Sequence, residues 1–339
     1  MTFVRNTWYM AGWSKDLSSP VARTILNTPI VLFRASSGEI GALHDVCPHR
    51  AVPLSLGKVS GNHIVCPYHG LEFDTGGVCR RNPHVKGPSH AIKARDFRAI
   101  DRHGIIWIWM GIEAQANPDA IPDYSWFNSP DQFATGTGYL HIDADYRLII
   151  DNLMDLAHAD YIHPHTVGSP GAAEVQQAEV VREGDTISVN ALWPDLPPNA
   201  INKQFWTRTP HVDQYLDMKW HRASSMLLNL GIMAPGEPRE SGLHTPSAHI
   251  LTPETERSTH YFWAFARDFD KSNTRLTETI VEVVGAAFTR EDKPMIEAAQ
   301  RNLDRGVAKL LNFTVGDSGS ARVRRELERL AALEAGESP

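Results

Sequence analysis

Apolar residues in the first third of the chain fall in short runs, not at helical spacing. Ile30-Val31-Leu32-Phe33, Ile64-Val65 and Ile105-Ile106-Trp107-Ile108-Trp109 are separated by turn signals at Ser37-Gly38, Ser60-Gly61-Asn62 and Thr75-Gly76-Gly77. This pattern predicts an all-β domain over residues 1–112. Residues 113–135 carry Asn117-Pro118-Asp119 and Ser129-Pro130-Asp131 with few apolar positions in register, which predicts a linker. From Leu140 the pattern changes. Residues 141–146 partly alternate, as in a strand, and residues 148–163 take helical spacing up to Pro164, which pushes residue 163 out of the helical region. Residues 170–265 read as strand-rich. Residues 274–304 read as helical, with Pro294 a kink or break. Val323, Leu327, Leu330 and Leu333 form an apolar stripe on a charged C-terminal helix, expected to dock on its own domain. The fold class is therefore α+β: an all-β N-terminal domain, then a domain over 136–339 with an antiparallel sheet flanked by helices.

Composition narrows the function classes. With 339 residues, 42% hydrophobic and 22% charged, the chain has an ordinary globular balance and room for two domains. A formal net charge of −7 argues against non-specific nucleic-acid binding. Its start lacks the basic, apolar and small-residue segments of a signal peptide, and the longest apolar run, residues 105–110, is too short to cross a bilayer. Three cysteines form no disulfide framework, so a reducing cytoplasm and no membrane association are expected.

Two of those cysteines carry chemistry. Cys47-Pro-His49 is followed, after sixteen intervening residues, by Cys66-Pro-Tyr-His69. Two thiolates and two imidazoles suit a tetrahedral zinc, or a two-iron cluster with thiolates on one iron and imidazoles on the other. Zinc fingers usually segregate their Cys and His pairs, whereas each arm here holds one of each. That distribution favours the Rieske [2Fe-2S] arrangement over structural zinc. Pro48, Pro53 and Pro67 stiffen the loops. Cys79 is left over, a buried or idle thiol to which the sequence assigns no role.

A second pair, His158 and His163, lies in the acid-rich predicted helix. At roughly 100° per residue, a spacing of five sets the two side chains about 140° apart. One metal can take both only if the helix is overwound, bulged or ended there. Two imidazoles also need an anionic partner. The two-His-one-carboxylate triad binds non-haem Fe(II) and leaves positions open. Asp155 and Asp160 are the carboxylates near in sequence.

Longer runs carry a narrower resemblance. Val4-Arg-Asn-Thr-Trp-Tyr9, Asp45-Val-Cys-Pro-His-Arg50, Cys66-Pro-Tyr-His-Gly-Leu71, Asp151-Asn-Leu-Met-Asp155 and Leu251-Thr-Pro-Glu-Thr-Glu256 resemble the Rieske non-haem iron oxygenases, in the vanillate O-demethylase, dicamba monooxygenase and toluenesulfonate methyl-monooxygenase branch. The resemblance implies a Rieske domain followed by a helix-grip-like catalytic domain. It implies Cys47, His49, Cys66 and His69 as cluster ligands, and His158, His163 and Asp292 (of the pair Glu291-Asp292) as ligands of the mononuclear iron. It implies that Asp155 links a Rieske histidine of one subunit to an iron-binding histidine of the next in a homotrimer, with Asn152 near the iron. Dioxygen is the implied co-substrate. The chain has no Gly-x-Gly-x-x-Gly after a strand, so NAD(P)H is expected to act through a separate reductase, with or without a ferredoxin.

The implied reaction is oxidation of an aryl-bound methyl or methoxy group, with O-demethylation of a vanillate-like methoxylated aromatic acid, releasing formaldehyde, as the leading expectation. Asn229 and His249 fall where the dicamba enzyme holds its substrate, and Val283 replaces a pocket tryptophan there. An aryl-methyl or ring hydroxylase of the same architecture is the alternative. An electron carrier is a remoter one, since it needs only the first domain.

Overall fold

The computed structural model describes residues 3–85, 91–307 and 315–336. Two compact units emerge: Met1–Asp123 with Thr252–Thr255, and Tyr124–Leu251 with Glu256–Pro339. The stretch expected to be a linker is divided between them. Its first part forms short 3-10 turns at Glu113–Gln115 and Pro118–Ala120, its second part a turn at Ser125–Asn128, and its last two residues already belong to a strand.

The first unit is built from small antiparallel sheets. Strands β1 (Trp8–Trp13), β2 (Val21–Ile25), β3 (Thr28–Arg34), β4 (Ile40–His44), β5 (Lys58–Ser60), β6 (His63–Val65), β7 (Glu72–Phe73), β8 (Cys79–Arg81), β9 (Ala99–Arg102) and β10 (Ile105–Trp109) pair as β1-β10-β9, β2-β3-β4 and β5-β6-β7-β8. All five residues of β10 are buried, which explains why it reads as an uninterrupted apolar run: it is the central strand of its sheet. The two Cys-His loops leave this scaffold after β4 and β6, over a core of Val31, Phe33, Leu43, Leu54, Ile64 and Phe73.

The second unit is an eight-stranded sheet with helices. Its strands are β11 (Ala134–Ile142), β12 (Gln177–Glu183), β13 (Thr186–Leu196), β14 (Val212–His221), β15 (Ser225–Met233), β16 (Leu243–His244), β17 (Ser247–Thr255) and β18 (Ser258–Arg267), in the order β11-β18-β17-β15-β14-β13-β12 with β16 on β15. A Cβ on Gly138 of β11 would lie 2.2 Å from the Trp263 ring of β18, so that glycine is what lets the indole lie across the strand.

The segment expected to be one helix is two. Helix α1 (Tyr146–Met154) is N-capped by Asp145, whose Oδ1 accepts from the Arg147 N–H at 2.9 Å, and it stops at Asp155, in extended conformation. Helix α2 (Ala159–Ile162) is a single turn. The break falls well before Pro164, because the Asp155 carboxylate accepts from the Ala157 N–H at 2.9 Å and diverts the backbone from its helical bond.

After the short α3 (Ala172–Val175) and the strands come α4 (Thr274–Ala286), a π-helical segment (Ala287–Asp292) and α5 (Lys293–Asp304). Pro294 sits in the first turn of α5, where its missing N–H costs little, and the π segment absorbs the irregularity just ahead of it. Helix α6 (Ser318–Ala335) docks on α1 and β13: Val323, Leu327 and Leu330 are buried, while Leu333, expected in the same stripe, is exposed. Arg324 of α6 grips the Asp151 carboxylate of α1 from Nε at 2.9 Å to both oxygens, tying the last helix to the one that leads into the histidine pair.

Candidate metal centres and substrate cavity

The two Cys-His loops are built alike. In each, the Cys N–H donates to the carbonyl five residues on (Cys47 to Val52, 2.9 Å; Cys66 to Leu71, 2.8 Å), and the residue four positions on donates back to the Cys carbonyl (Ala51, 2.9 Å; Gly70, 3.0 Å). Those returning residues, Ala51 and Gly70, both take left-handed conformations, with φ of 56° and 71°. The first loop is braced by Asp45, whose carboxylate accepts from the Ser55 N–H at 2.7 Å and from its hydroxyl at 2.5 Å.

The donors converge. Both thiols are buried, and the His49 and His69 rings lie 4.6 Å apart between centroids, with His49 on the outer surface. Burial pushes the Cys47 thiol up, and the adjacent Cys66 thiol adds to the shift. His69 Nδ1 is buried without a hydrogen-bond partner among the described residues. Two touching buried thiols and an orphaned ring nitrogen are costly unless metal takes the protons' place. Sulfur donors inside and nitrogen donors outside are the division a Rieske cluster needs, so the residues fit a [2Fe-2S] group. Cys79 lies in the core of this unit, its thiol donating to the Arg81 carbonyl at 3.3 Å.

In the second unit the break at Asp155 turns His158 and His163 towards each other, with ring centroids 5.4 Å apart. Their Nε2 atoms lie 3.5 and 3.2 Å from the same Asp292 oxygen, and one ligand atom from each of His158, His163 and Asp292 lies within 4.8 Å of the others. The π segment delivers Asp292 to this point, where it is 4% exposed. The outer nitrogens are engaged as well. His163 Nδ1 meets Glu291 Oε2 at 2.7 Å, and that oxygen also accepts from the Thr166 hydroxyl at 2.7 Å. His158 Nδ1 meets the Asp155 carbonyl. With Nδ1 donating in both rings, both Nε2 lone pairs are left for a metal. Asn152 donates to Asp292 Oδ1 at 2.9 Å. Burial pulls the His163 imidazole down, but Asp292 and then Glu291 outweigh it and hold the ring above its ordinary range. Two imidazoles and one carboxylate on one side of a point fit a ferrous facial triad. Neither Asp155 nor Asp160 supplies the carboxylate: Asp155 caps Ala157, and Asp160 accepts from the Gly171 and Ala173 N–H groups.

Beyond this set lies a cavity of about 160 Å³. A cavity of about 150 Å³ lined by apolar side chains holds benzene, so a single substituted ring is the right size. Leu153, Leu216, Leu228, Leu230, Phe265 and Phe288 form apolar walls, and Asn199, Asn202, Gln214, Thr245, Ser247 and His249 bring polar atoms.

Residues 7–96 match the Rieske [2Fe-2S] domain family, and residues 142–333 match the vanillate O-demethylase oxygenase C-terminal domain family. The chain is 39% identical to the dicamba O-demethylase oxygenase component of Stenotrophomonas maltophilia, over 99% of this chain and 100% of that protein. It is 38% identical to the chloroacetanilide N-alkylformylase oxygenase component of Rhizorhabdus wittichii (strain DC-6 / KACC 16600), over 96% and 95%. A crystal structure of dicamba monooxygenase with non-heme iron and dicamba superposes with a TM-score of 0.87 at 37% identity, covering 99% of each chain. The chain belongs to the Rieske non-haem iron oxygenases. It is the oxygenase component of a Rieske monooxygenase system, an oxidoreductase carrying one [2Fe-2S] cluster and one mononuclear iron, built as a Rieske domain followed by the catalytic sheet domain.

In this Rieske oxygenase the residues expected at the substrate do not all reach the cavity. His249, 3% exposed, lines it. Asn229 does not: it is exposed on the far face of β15, opposite Asp217, because the alternation of a strand sends Leu228 and Leu230 inward and their neighbour out. Val283 faces a neighbouring groove beside Thr279 and Thr289, while Ile280 and Val284, one helical turn apart, line the cavity. Sequence reasoning missed Asn199, Asn202 and Gln214, which carry no motif. It also missed the part played by Glu291, visible only as a neighbour of Asp292. Glu291→Gln should weaken ferrous iron binding by about 10- to 100-fold, measured by titration of iron-stripped protein, because it removes the charge that orients His163. Unchanged affinity would mean that Thr166 and Glu291 merely brace the loop.

Proposed function

We propose that this oxygenase removes the methyl group of a single-ring aryl methyl ether. Hydroxylation of the methyl carbon gives a hemiacetal, which falls apart to a phenol and formaldehyde. The observation that carries the reading is a ring-sized, mostly apolar cavity opening onto the His158, His163 and Asp292 set. Iron held there, with electrons relayed from the cluster, supplies the activation of dioxygen. The chain's own residues do the rest. Asn152 and Glu291 hold the ligands in orientation. The leucine and phenylalanine walls exclude water and place one ring edge towards the metal. The relatives that the chain matches include O-demethylases and an N-alkylformylase, so the reading is supported at the level of oxidative removal of a carbon from a heteroatom on an aromatic.

The electron supply follows the same reading. A separate NAD(P)H-dependent reductase, directly or through a ferredoxin, reduces the cluster. Subunits assemble head to tail as a homotrimer in which Asp155 joins a cluster histidine of one protomer to His158 of the next. Supplied with a surrogate reductase, the holoenzyme should release formaldehyde from at least one methoxybenzene of a single-ring panel. Oxygenated products without formaldehyde across the panel would instead support the ring- or methyl-hydroxylase reading.

A further inference from the structure

The polar lining of the cavity says what kind of substituent the substrate ring carries. Apart from His158, His163, Asp292 and the Asn152 that donates to Asp292, the polar side chains of that lining are Asn199, Asn202, Gln214, Thr245, Ser247 and His249. Five of the six bear no ionisable group. The sixth, His249, is bracketed by hydroxyls: Nδ1 meets the Tyr261 hydroxyl at 2.6 Å and Nε2 meets Ser247 Oγ at 3.2 Å. Ser247 donates its own proton to the Ala264 carbonyl at 2.8 Å, so it accepts from Nε2–H, and Tyr261 donates to Nδ1. Both ring nitrogens are thereby committed. Burial agrees, holding the imidazole neutral with its pKa pushed down to about 4.

The amides differ in how fully they are used. Asn199 donates to the Val167 carbonyl and accepts from the Asn202 N–H, both at 2.8 Å, which ties it to the backbone. Asn202 Nδ2 reaches Gln214 Oε1 only at 3.4 Å, and Ser169 reaches the same oxygen at 3.4 Å. No hydrogen bond among the described residues engages Gln214 Nε2 or Asn202 Oδ1. Exchanging O and N in both amides leaves the same outcome, one donor and one acceptor side by side at the wall. Such a pair complements a group that both accepts and donates. It offers an ionised carboxylate a single donor and places an acceptor oxygen against its second lone-pair set. Meanwhile the parity of β15 turns Leu228 and Leu230, not Asn229, to the cavity.

We propose that this oxygenase selects an uncharged aromatic ether, whose ring carries a neutral donor-acceptor group such as a carboxamide, held by Gln214 and Asn202, in preference to the matching aromatic acid. The proposal rests on the aryl ether reading above and departs from the aromatic-acid expectation drawn from resemblance. An acid entering this wall gives up its hydration for one hydrogen bond, whereas the amide keeps two.

The test uses the iron-loaded holoenzyme and one matched pair, 4-hydroxy-3-methoxybenzamide and 4-hydroxy-3-methoxybenzoate. Binding is measured without oxygen by equilibrium dialysis at neutral pH, and formaldehyde is measured separately in turnover. The amide should bind at least about tenfold tighter, equivalent to about 1.4 kcal/mol. The double variant Gln214→Met/Asn202→Leu, with its fold checked by melting temperature and iron content, should bring the two dissociation constants together, because the amide loses two hydrogen bonds and the acid one. The acid binding as tightly as the amide, or neither binding, overturns the proposal. Tight amide binding without formaldehyde supports the charge preference and overturns the O-demethylase reading instead.

Discussion

Asp292→Ala should abolish turnover, lowering it by more than about a hundredfold, while the visible spectrum of the cluster stays as in the wild type. Two ligands of the three would remain, both neutral, and a hard ferrous ion loses its one anionic donor from a site that is otherwise desolvated. Loss of even an outer partner of a metal ligand commonly costs about 10- to 100-fold in affinity, so loss of the ligand itself should empty the site. Iron analysis checks this directly, with two irons per chain retained of three. Asn152 and His163 would lose their shared acceptor too, but both sit on elements anchored elsewhere: α1 through Arg324, and His163 through Glu291. The melting temperature should therefore change little. An unchanged iron content would remove Asp292 from the ligand set.

The second large effect is expected from Asp155→Asn. In the single chain the Asp155 carboxylate has a modest job, accepting from the Ala157 N–H, and an asparagine oxygen can do the same. Its carbonyl, which meets His158 Nδ1, is untouched by the substitution. Both metal sites should stay filled and the α1–α2 break should persist. The proposed contact between subunits needs the second carboxylate oxygen, which is left to accept from the N–H of a cluster imidazole in the next subunit, where an asparagine would present an NH2. Turnover should fall on the order of a hundredfold, with the loss located in oxidation of the reduced cluster on mixing with oxygen and substrate. A variant that re-oxidises its cluster at the wild-type rate would restrict Asp155 to shaping its own turn.

How far the sequence could be read differs between the two centres, and the reason is distance along the chain. Cys47, His49, Cys66 and His69 lie in two loops that repeat one hydrogen-bond scheme, so their spacing carries the site almost whole. His158 and His163 were legible as a pair, but not the device that joins them. Helical periodicity counts apolar positions, and these run on past Asp155 as though nothing happened. The break comes from one carboxylate competing for one backbone N–H. Asn229 shows the opposite limit. A strand face is set by parity, and displacement by a single residue exchanges the cavity for solvent. Resemblance places a residue near a site; it does not say which way the pleat turns.

By itself, then, the sequence determined the local quantities: the donor set of each Cys-His loop, the unusual spacing of the histidine pair, the order of an all-β domain and a mixed one. Resemblance pointed to one of many carboxylates, but no local pattern did, and the tertiary structure decided that it meets those histidines. It chose Asp292, far along the chain, because a π-helical turn ahead of Pro294 presents it while Asp155 and Asp160 spend their oxygens on nearby N–H groups. It decided likewise that leucines, amides and a buried histidine line the cavity beside them. Short-range chemistry is written in neighbouring residues. Convergence of distant ones depends on how sheets and helices pack, which no local pattern encodes.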